Sequence, residues 1–398
     1  MKKQNKPFVG IMKFVYDEQK KIFTGKIGIE KDFSMESLKI RKLKREKNDL
    51  LKLKVCFDAS FSKREISHFE WLYFNNPIKR SFVQVATDII DGKEIIGASY
   101  TVIPLFFKMG DKTVMGVQSL DTVTDKPYRK KGLFLKLANA VYENCALEGV
   151  SFVYGFPNNN SAHGIFKRLG WLPFDHVPYM IKPLRTSYFL RPLSRMAKLQ
   201  PHLVDWQFPG FKKFSMKPNQ FIVDDAPVDR PEMDALWTRF SDTFTAGLAR
   251  NRAYLKWRLE DAPYCRYRTS YIYERGRLKG FVSYVATVEN NGLTGRIMEL
   301  MYDAGQSDDK KNRHMTGAVL LNHAVEKLKK SGCQVVKAIC FRHSFNYAAY
   351  EMNGFFHKSF IPGRPSHYFG LRCFKEEDRI IAENPLNWYL SFCDFDPA

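Results

Sequence analysis

The 398-residue sequence predicts a mixed α/β fold, mostly antiparallel sheet flanked by helices and arranged as two tandem halves. Three observations carry that expectation. Stretches that alternate apolar and polar residues follow one another across short turns such as Asp91-Gly92, the pattern of hairpin-linked strands. Stretches with helical spacing, such as Leu133, Leu137, Val141 and Cys145, lie between them. Third, landmarks recur at a nearly constant offset. Phe69–Tyr73 with Pro77 returns as Leu255–Leu259 with Pro263, both Trp71/Trp257 and the proline pair lying 186 residues apart. Ile96–Tyr100 is echoed by Lys279–Tyr284, and Leu169-Gly170-Trp171 by Asn353-Gly354-Phe355 at an offset of 184. A recurrence of this length points to duplication.

The elements follow in order. Val9–Tyr16 and Ile22–Ile29 alternate around a polar turn and predict a hairpin within an extension, residues 1–36. The first main unit is predicted over 37–186. It contains a strand at Leu38–Leu43, a helix capped at Asn48-Asp49, a helix at Ile66–Phe74, and strands at Val83–Ile90, Ile95–Phe107 and Val114–Thr124. Residues 187–215 are expected to be a connector, 216–375 the second unit, and 376–398 an aromatic and acidic tail with a strand over Asn387–Asp396.

Composition narrows the function classes. Hydrophobic residues make up 44 % and aromatic residues 15 % of the chain, too many for a disordered protein. The net charge is +21, and 16 basic against 7 acidic residues lie before residue 56. Such a surplus favours an anionic partner: a phosphorylated ligand, an acidic membrane surface or nucleic acid. Seven cysteines, odd in number and without a Cys-x-x-Cys pair, suit reduced thiols in a cytoplasmic setting and offer no zinc cage. The longest apolar run, Ile95–Phe107, is interrupted by polar residues and Pro104 and is shorter than the roughly 20 residues that span a bilayer. Peripheral contact with an anionic membrane stays open.

The chemistry is concentrated after the strand ending at Thr124. Asp125–Lys131 is a basic turn, Gly132 follows, and an amphipathic helix leaves it, ending at Gly149. Free N–H groups at a helix start, a glycine that admits close backbone approach, and Arg129, Lys130 and Lys131 together suit phosphate oxygens. A short strand, Ser151–Phe156, then gives way to Asn158–Ser161 as the cap of another helix, which Gly170-Trp171 closes.

In order and spacing these residues resemble the GCN5-related N-acetyltransferase (GNAT) superfamily. Its strand, Arg/Gln-x-x-Gly-x-Gly/Ala loop, helix, strand, Asn-x-x-Ala and closing Gly-Phe/Trp correspond to Arg129-x-x-Gly132-x-Phe134, Asn159-x-x-Ala162 and Gly170-Trp171. The likeness spans roughly residues 37–186. More narrowly, Trp71, Asn76-Pro77, Gly155–Asn158 and the tail resemble bacterial tandem acetyltransferases associated with surface-polysaccharide synthesis.

The resemblance implies an acyl-CoA donor, expected to be acetyl-CoA, and no metal. It implies that the backbone at Thr122 and Val123 pairs with pantetheine. It further implies that the amides from Arg129 through Lys130, Lys131, Gly132 and Leu133 to Phe134 hold the pyrophosphate, with Asn158, Asn159 and Ser161 beside the thioester. Phe134 replaces the family's small residue. An acceptor amine with a pKa near ~10.4 needs help losing its proton, so Asp121, or alternatively His163, is the candidate base. Phe166 stands where the family often has an acidic tyrosine, leaving Tyr154, Tyr179 or no side chain to protonate the thiolate. The second unit lacks the Arg-x-x-Gly loop, and Glu299, Tyr350, Trp388, Asp394 and Asp396 are read as shaping an acceptor groove.

The expected reaction is direct attack of an amine, such as an amino sugar on a nucleotide or lipid phosphate, on the thioester. Two other classes remain open: an aminoacyl-tRNA-dependent peptidyltransferase, which the CoA loop argues against, and a non-catalytic acyl-CoA-binding protein.

Overall fold

The computed structural model describes residues 15–17, 22–24, 38–189, 205–208, 214–289, 292–304, 309–357 and 367–395. β1 (Val15–Asp17) and β2 (Ile22–Thr24) pair antiparallel, with Val15 opposite Thr24. Asp396 lies outside the described residues.

The first half runs β3 (Lys39–Lys42), α1 (Lys47–Asp58), α2 (Ile66–Tyr73), β4 (Phe82–Ile90), β5 (Lys93–Met109), β6 (Lys112–Thr124), α3 (Leu133–Leu147), β7 (Phe152–Gly155), α4 (Asn159–Arg168), β8 (Leu172–His176) and β9 (Tyr179–Pro183). The β4–β5 turn places Asp91 and Gly92 at φ 49° and 74°, as a tight hairpin requires. Helix α1 starts two residues earlier than its sequence suggests, with Glu46 at the cap position. Asp49 sits inside the first turn, where its carboxylate takes the Arg41 guanidinium and the Lys44 amide.

The second half runs β10 (Gln220–Asp224), α5 (Pro231–Ser241), β11 (Ala246–Leu248), α6 (Arg252–Leu255), β12 (Arg268–Glu274), β13 (Arg277–Glu289), β14 (Gly292–Tyr302), α7 (Lys310–Arg313), α8 (Met315–Lys330), β15 (Val335–Ile339), α9 (Tyr347–Met352), β16 (Phe356–His357), β17 (Tyr368–Cys373) and α10 (Glu376–Ala382).

The strands form two large sheets, and the halves trade strands to complete them. The first sheet is ordered β3-β4-β5-β6-β7-β17-β8, with β11 beside β5, and the second β10-β12-β13-β14-β15-β9-β16. Pairing is antiparallel throughout except at β6–β7 and β14–β15. β17 fills the place between β7 and β8, and β9 the equivalent place between β15 and β16. Without the exchange each sheet would split and leave unpaired edges.

Trp71 and Trp257, the residues that marked the repeat, meet across this pseudo-symmetric arrangement. Their indoles stack with centroids 4.6 Å apart, and each Nε1–H donates to the other's main-chain carbonyl, at 2.9 and 3.2 Å. One continuous core runs from α1, α2 and β5 of the first half through α5 and β12 of the second.

Beyond α10 the tail is not a strand. It packs as two 3₁₀ turns, Pro385–Asn387 and Phe392–Asp394, because Ser391 and Asp394 form a reciprocal cap that curls the chain. Trp388 is pinned by donation to the Ala382 carbonyl at 2.7 Å and by the rings of Phe107, Phe152 and Phe369.

Candidate active site

Strands β6 and β7 pair at Val117↔Val153 and Gln118↔Tyr154 and then separate. Just beyond, β6 carries a bulge. Leu120 pairs with Thr101 and Val123 with Ser99, so Asp121 and Thr122 together oppose Tyr100. The extra residue keeps Leu120 and Val123 in the same core and holds Asp121 at φ 48°. A bulge beside an opening between parallel strands re-aims main-chain groups toward the gap, which suits an extended ligand that adds itself as a strand.

The basic turn follows. Asp125 accepts the Lys126 N–H at 2.7 Å and starts a 3₁₀ turn, Lys126–Tyr128. Lys130 and Gly132 then take φ values of 64° and 73°. Gly132 stands at the N-cap of α3, exposed, and a Cβ there would meet no atom within 4 Å. The orphan N–H groups of the first α3 turn, beginning at Leu133, follow directly on this open position, next to exposed Arg129 and Lys130 and half-buried Lys131. The Arg129 Nε donates to the Thr124 carbonyl at 3.0 Å and ties the loop to the strand. Phe134 packs against Tyr100, centroids 5.8 Å apart, and beside Gly164 of α4, so its bulk goes between sheet and helix.

Asn158 caps α4 by accepting the N–H groups of Asn160 and Ser161 at 3.0 and 3.1 Å, which occupies its side-chain oxygen. Asn159 is exposed, Ser161 half-buried, and His163 exposed on the next part of the helix. Phe166 presses on β17, where a Cβ at Gly370 would come within 2.6 Å of its ring. The strand from the second half thus takes the space that side chain faces.

The Asp121 carboxylate is buried but not isolated. It accepts Arg64 Nη1 at 2.7 Å and the Tyr73 hydroxyl at 3.0 Å. Burial, reinforced by the Asp121 charge, pushes the Tyr73 hydroxyl well above its ordinary pKa. Arg64 in turn lies over Phe57, 4.5 Å from the ring centroid. Sequence reasoning missed both partners: Arg64 sits in a polar stretch that reads as solvated loop, and Tyr73 reads as an apolar helix position.

Several predicted site residues lie elsewhere. Tyr154 is fully buried between the halves, packed on Phe107 and Trp388 on the sheet face opposite α3, so it is not presented to a thiolate in solvent. Tyr179 belongs to β9 in the second sheet, its hydroxyl 3.3 Å from His367 Nδ1. Glu299, Tyr350, Trp388 and Asp394 are all at most 2 % exposed and line no groove.

Their actual partners define a second arrangement. β14 parts from β15 after Arg296↔Lys337 and has its own bulge at Met298, between Tyr284↔Ile297 and Ser283↔Glu299. Here the opening is filled. Asn346 Nδ2 donates to the Leu300 carbonyl at 3.2 Å and to the Tyr389 hydroxyl at 3.0 Å. Glu299 accepts Arg250 Nε at 2.5 Å, Ser391 Oγ at 2.8 Å and the Tyr389 hydroxyl. Arg250, wholly buried, also bonds Asp394. Burial pushes the Asp394 carboxyl up to about 6, with Arg250 opposing and Glu299 reinforcing the rise. An arginine between Ala249 and Asn251 gives no outward sign of this role.

Comparison with known proteins agrees with the geometry of the first half. Residues 39–174 match the family described as Acetyltransferase (GNAT) domain. The first half is a GNAT domain. A search of curated protein sequences finds no match. Among solved structures, N-myristoyltransferase of Saccharomyces cerevisiae with bound myristoyl-CoA is similar at TM-score 0.56 and 15 % identity, covering 85 % of this chain and 83 % of that one. A GCN5-related N-acetyltransferase from Anabaena variabilis is similar at TM-score 0.58 and 11 % identity, covering 87 % and 75 %. These likenesses extend the two-sheet fold over both halves. Among the described residues no helix is long and apolar enough to cross a membrane.

Proposed function

We propose that this GNAT-domain protein transfers an acetyl group from acetyl-CoA to an amine, with the donor held in the first half alone. The observation that carries the reading is the open parting of β6 and β7 beside the bulge at Asp121-Thr122, with the Gly132 loop and α3 N-terminus at its mouth. In this reading Thr122 and Val123 offer main-chain groups to pantetheine. The α3 N-terminus, with Arg129, Lys130 and Lys131, receives the pyrophosphate, whose negative charge the helix dipole favours.

The acceptor amine attacks the thioester carbonyl directly. Its nitrogen–carbon bond forms as the carbon–sulfur bond breaks, and the amine proton passes to Asp121, which Arg64 and Tyr73 hold in position. The thiolate leaves without help from Tyr154. The +21 charge supports an acceptor carrying phosphate, such as an amino sugar of a nucleotide- or lipid-linked precursor.

Thiol release from acetyl-CoA and from myristoyl-CoA, assayed with a panel of amino sugars and their phosphates, tests the donor and acceptor together. Asp121→Asn should lower kcat by about 10²- to 10⁴-fold and leave the KM for acetyl-CoA unchanged, as loss of a proton-transfer group does. Unchanged kcat would remove Asp121 from the reaction, and preference for myristoyl-CoA would replace the acetyl donor.

A further inference from the structure

At the far end of α3 from the loop, roughly 22 Å away for its fifteen residues at 1.5 Å each, a cavity of about 230 Å³ opens between that helix and the β3–β4 edge. Its lining includes Lys42, Arg45, Lys79 and Arg80, against one carboxylate, Glu148. Glu148 pairs with Arg80 at 3.1 Å, both side chains well exposed. Among the described residues Lys42, Arg45 and Lys79 have no carboxylate partner.

The floor is polar at one point. Gln84 is only 6 % exposed as a whole residue and lines the cavity opposite Lys42 in the strand register, and its amide, which makes no hydrogen bond among the described residues, opens to the cavity. An amide open to a cavity is free to bond whatever occupies it. The rim is held in place beforehand. Asn76, buried in the motif that marks the first repeat, donates to the carbonyls of Leu72 and Arg80 at 2.9 and 2.7 Å and accepts the Ile78 N–H at 3.2 Å. Arg45 and Arg80 lie over Phe74 and Phe82, 5.1 and 5.2 Å from the ring centroids, which fixes both guanidinium planes.

We propose that this cavity binds the phosphate or diphosphate group of a small phosphorylated compound, at an anion site separate from the cofactor loop. Lys42, Lys79 and the two arginines supply charge, and the Gln84 amide donates to a phosphate oxygen at the floor. The site stands independently of the acyl-transfer reading.

Calorimetric titration of the full chain with inorganic pyrophosphate tests it, using Gly132→Asp as the background so that the cofactor loop is blocked. Gly132→Asp should still bind one pyrophosphate. Adding Lys42→Glu and Lys79→Glu should weaken that binding at least about tenfold, because two charge-assisted contacts become repulsive. Gln84→Leu, which preserves every charge, should weaken it by a smaller factor. Unaltered coenzyme A binding by the Lys42/Lys79 double variant and by Gln84→Leu, each in the wild-type background, separates loss of the site from loss of the fold. Sedimentation with phosphatidylglycerol vesicles distinguishes the sources: binding that pyrophosphate competes away assigns a lipid headgroup, and no binding assigns a soluble phosphate. Pyrophosphate binding that disappears in Gly132→Asp alone, or that survives the two lysine reversals, would overturn the proposal.

Discussion

The two halves each open a gap between their central parallel strands, and they treat it in opposite ways. In the first, β6 and β7 part beside a bulge whose Asp121 is braced from one face by Arg64 and Tyr73, while the loop turning at Gly132 faces open space. In the second, β14 and β15 part beside a similar bulge, but Asn346 bonds the Leu300 carbonyl and Arg250 binds Glu299 to Asp394 of the tail. The same backbone device thus lies beside an open glycine loop in one half and within a sealed joint in the other. Duplication supplies two clefts, and the sequence after it decides which one stays open. The sealed cleft also has a mechanical use. Through Asp394, whose main-chain carbonyl accepts Gln118 Nε2 at 2.9 Å, the tail connects the second bulge to the strand that carries the first.

If the second cleft is a structural joint, breaking it should cost stability and spare cofactor binding. The largest effect is expected from Arg250→Leu, which leaves two buried carboxylates without their cation. Chemical denaturation should show a loss of about 3–5 kcal/mol. A loss below about 1 kcal/mol would mean that the arginine does not hold the joint together. Asn346→Ala removes the side chain that caps the Leu300 carbonyl and should cost about 1–3 kcal/mol with coenzyme A affinity unchanged. New coenzyme A binding in that variant would reveal the second cleft as a latent donor site.

The smallest effect concerns pH. The Asp394 carboxyl is raised to about 6 in the fold from its ordinary 3.8. The folded protein therefore holds this proton more tightly than the unfolded chain, so the contribution is greatest below pH 4 and is lost as pH rises toward 6. Asp394→Asn, which cannot ionise, should flatten the change in Tm between pH 4 and pH 6 relative to wild type. An identical pH profile would place the titration elsewhere.

Much of the first half was legible because its signals are local. Gly132 after a basic turn, Asn158 as a cap and the spacing of Leu133, Leu137 and Val141 all report backbone geometry within a few residues, and each element appears where those residues place it. The repeat was legible because short motifs recur along the chain, Trp71 and Trp257 marking equivalent places in the two halves. What the sequence hid is long-range. Nothing near Tyr368 or Tyr179 says that β17 and β9 change sheets, since a short apolar strand reads the same in either one. The tail read as an acidic strand because Asp394 and Trp388 were seen without Arg250 and Ala382, their partners far along the chain or around a turn. Polar residues that look like substrate contacts in one dimension prove to be satisfied by each other in three.

The stoichiometry and location of coenzyme A binding test the asymmetry most directly. Isothermal titration of the full chain should give one site. Gly132→Asp, which puts a carboxylate at a left-handed position facing the pyrophosphate, should abolish it, and Asn346→Ala should leave it unchanged. Two sites per chain, or one site that survives Gly132→Asp, would contradict the account.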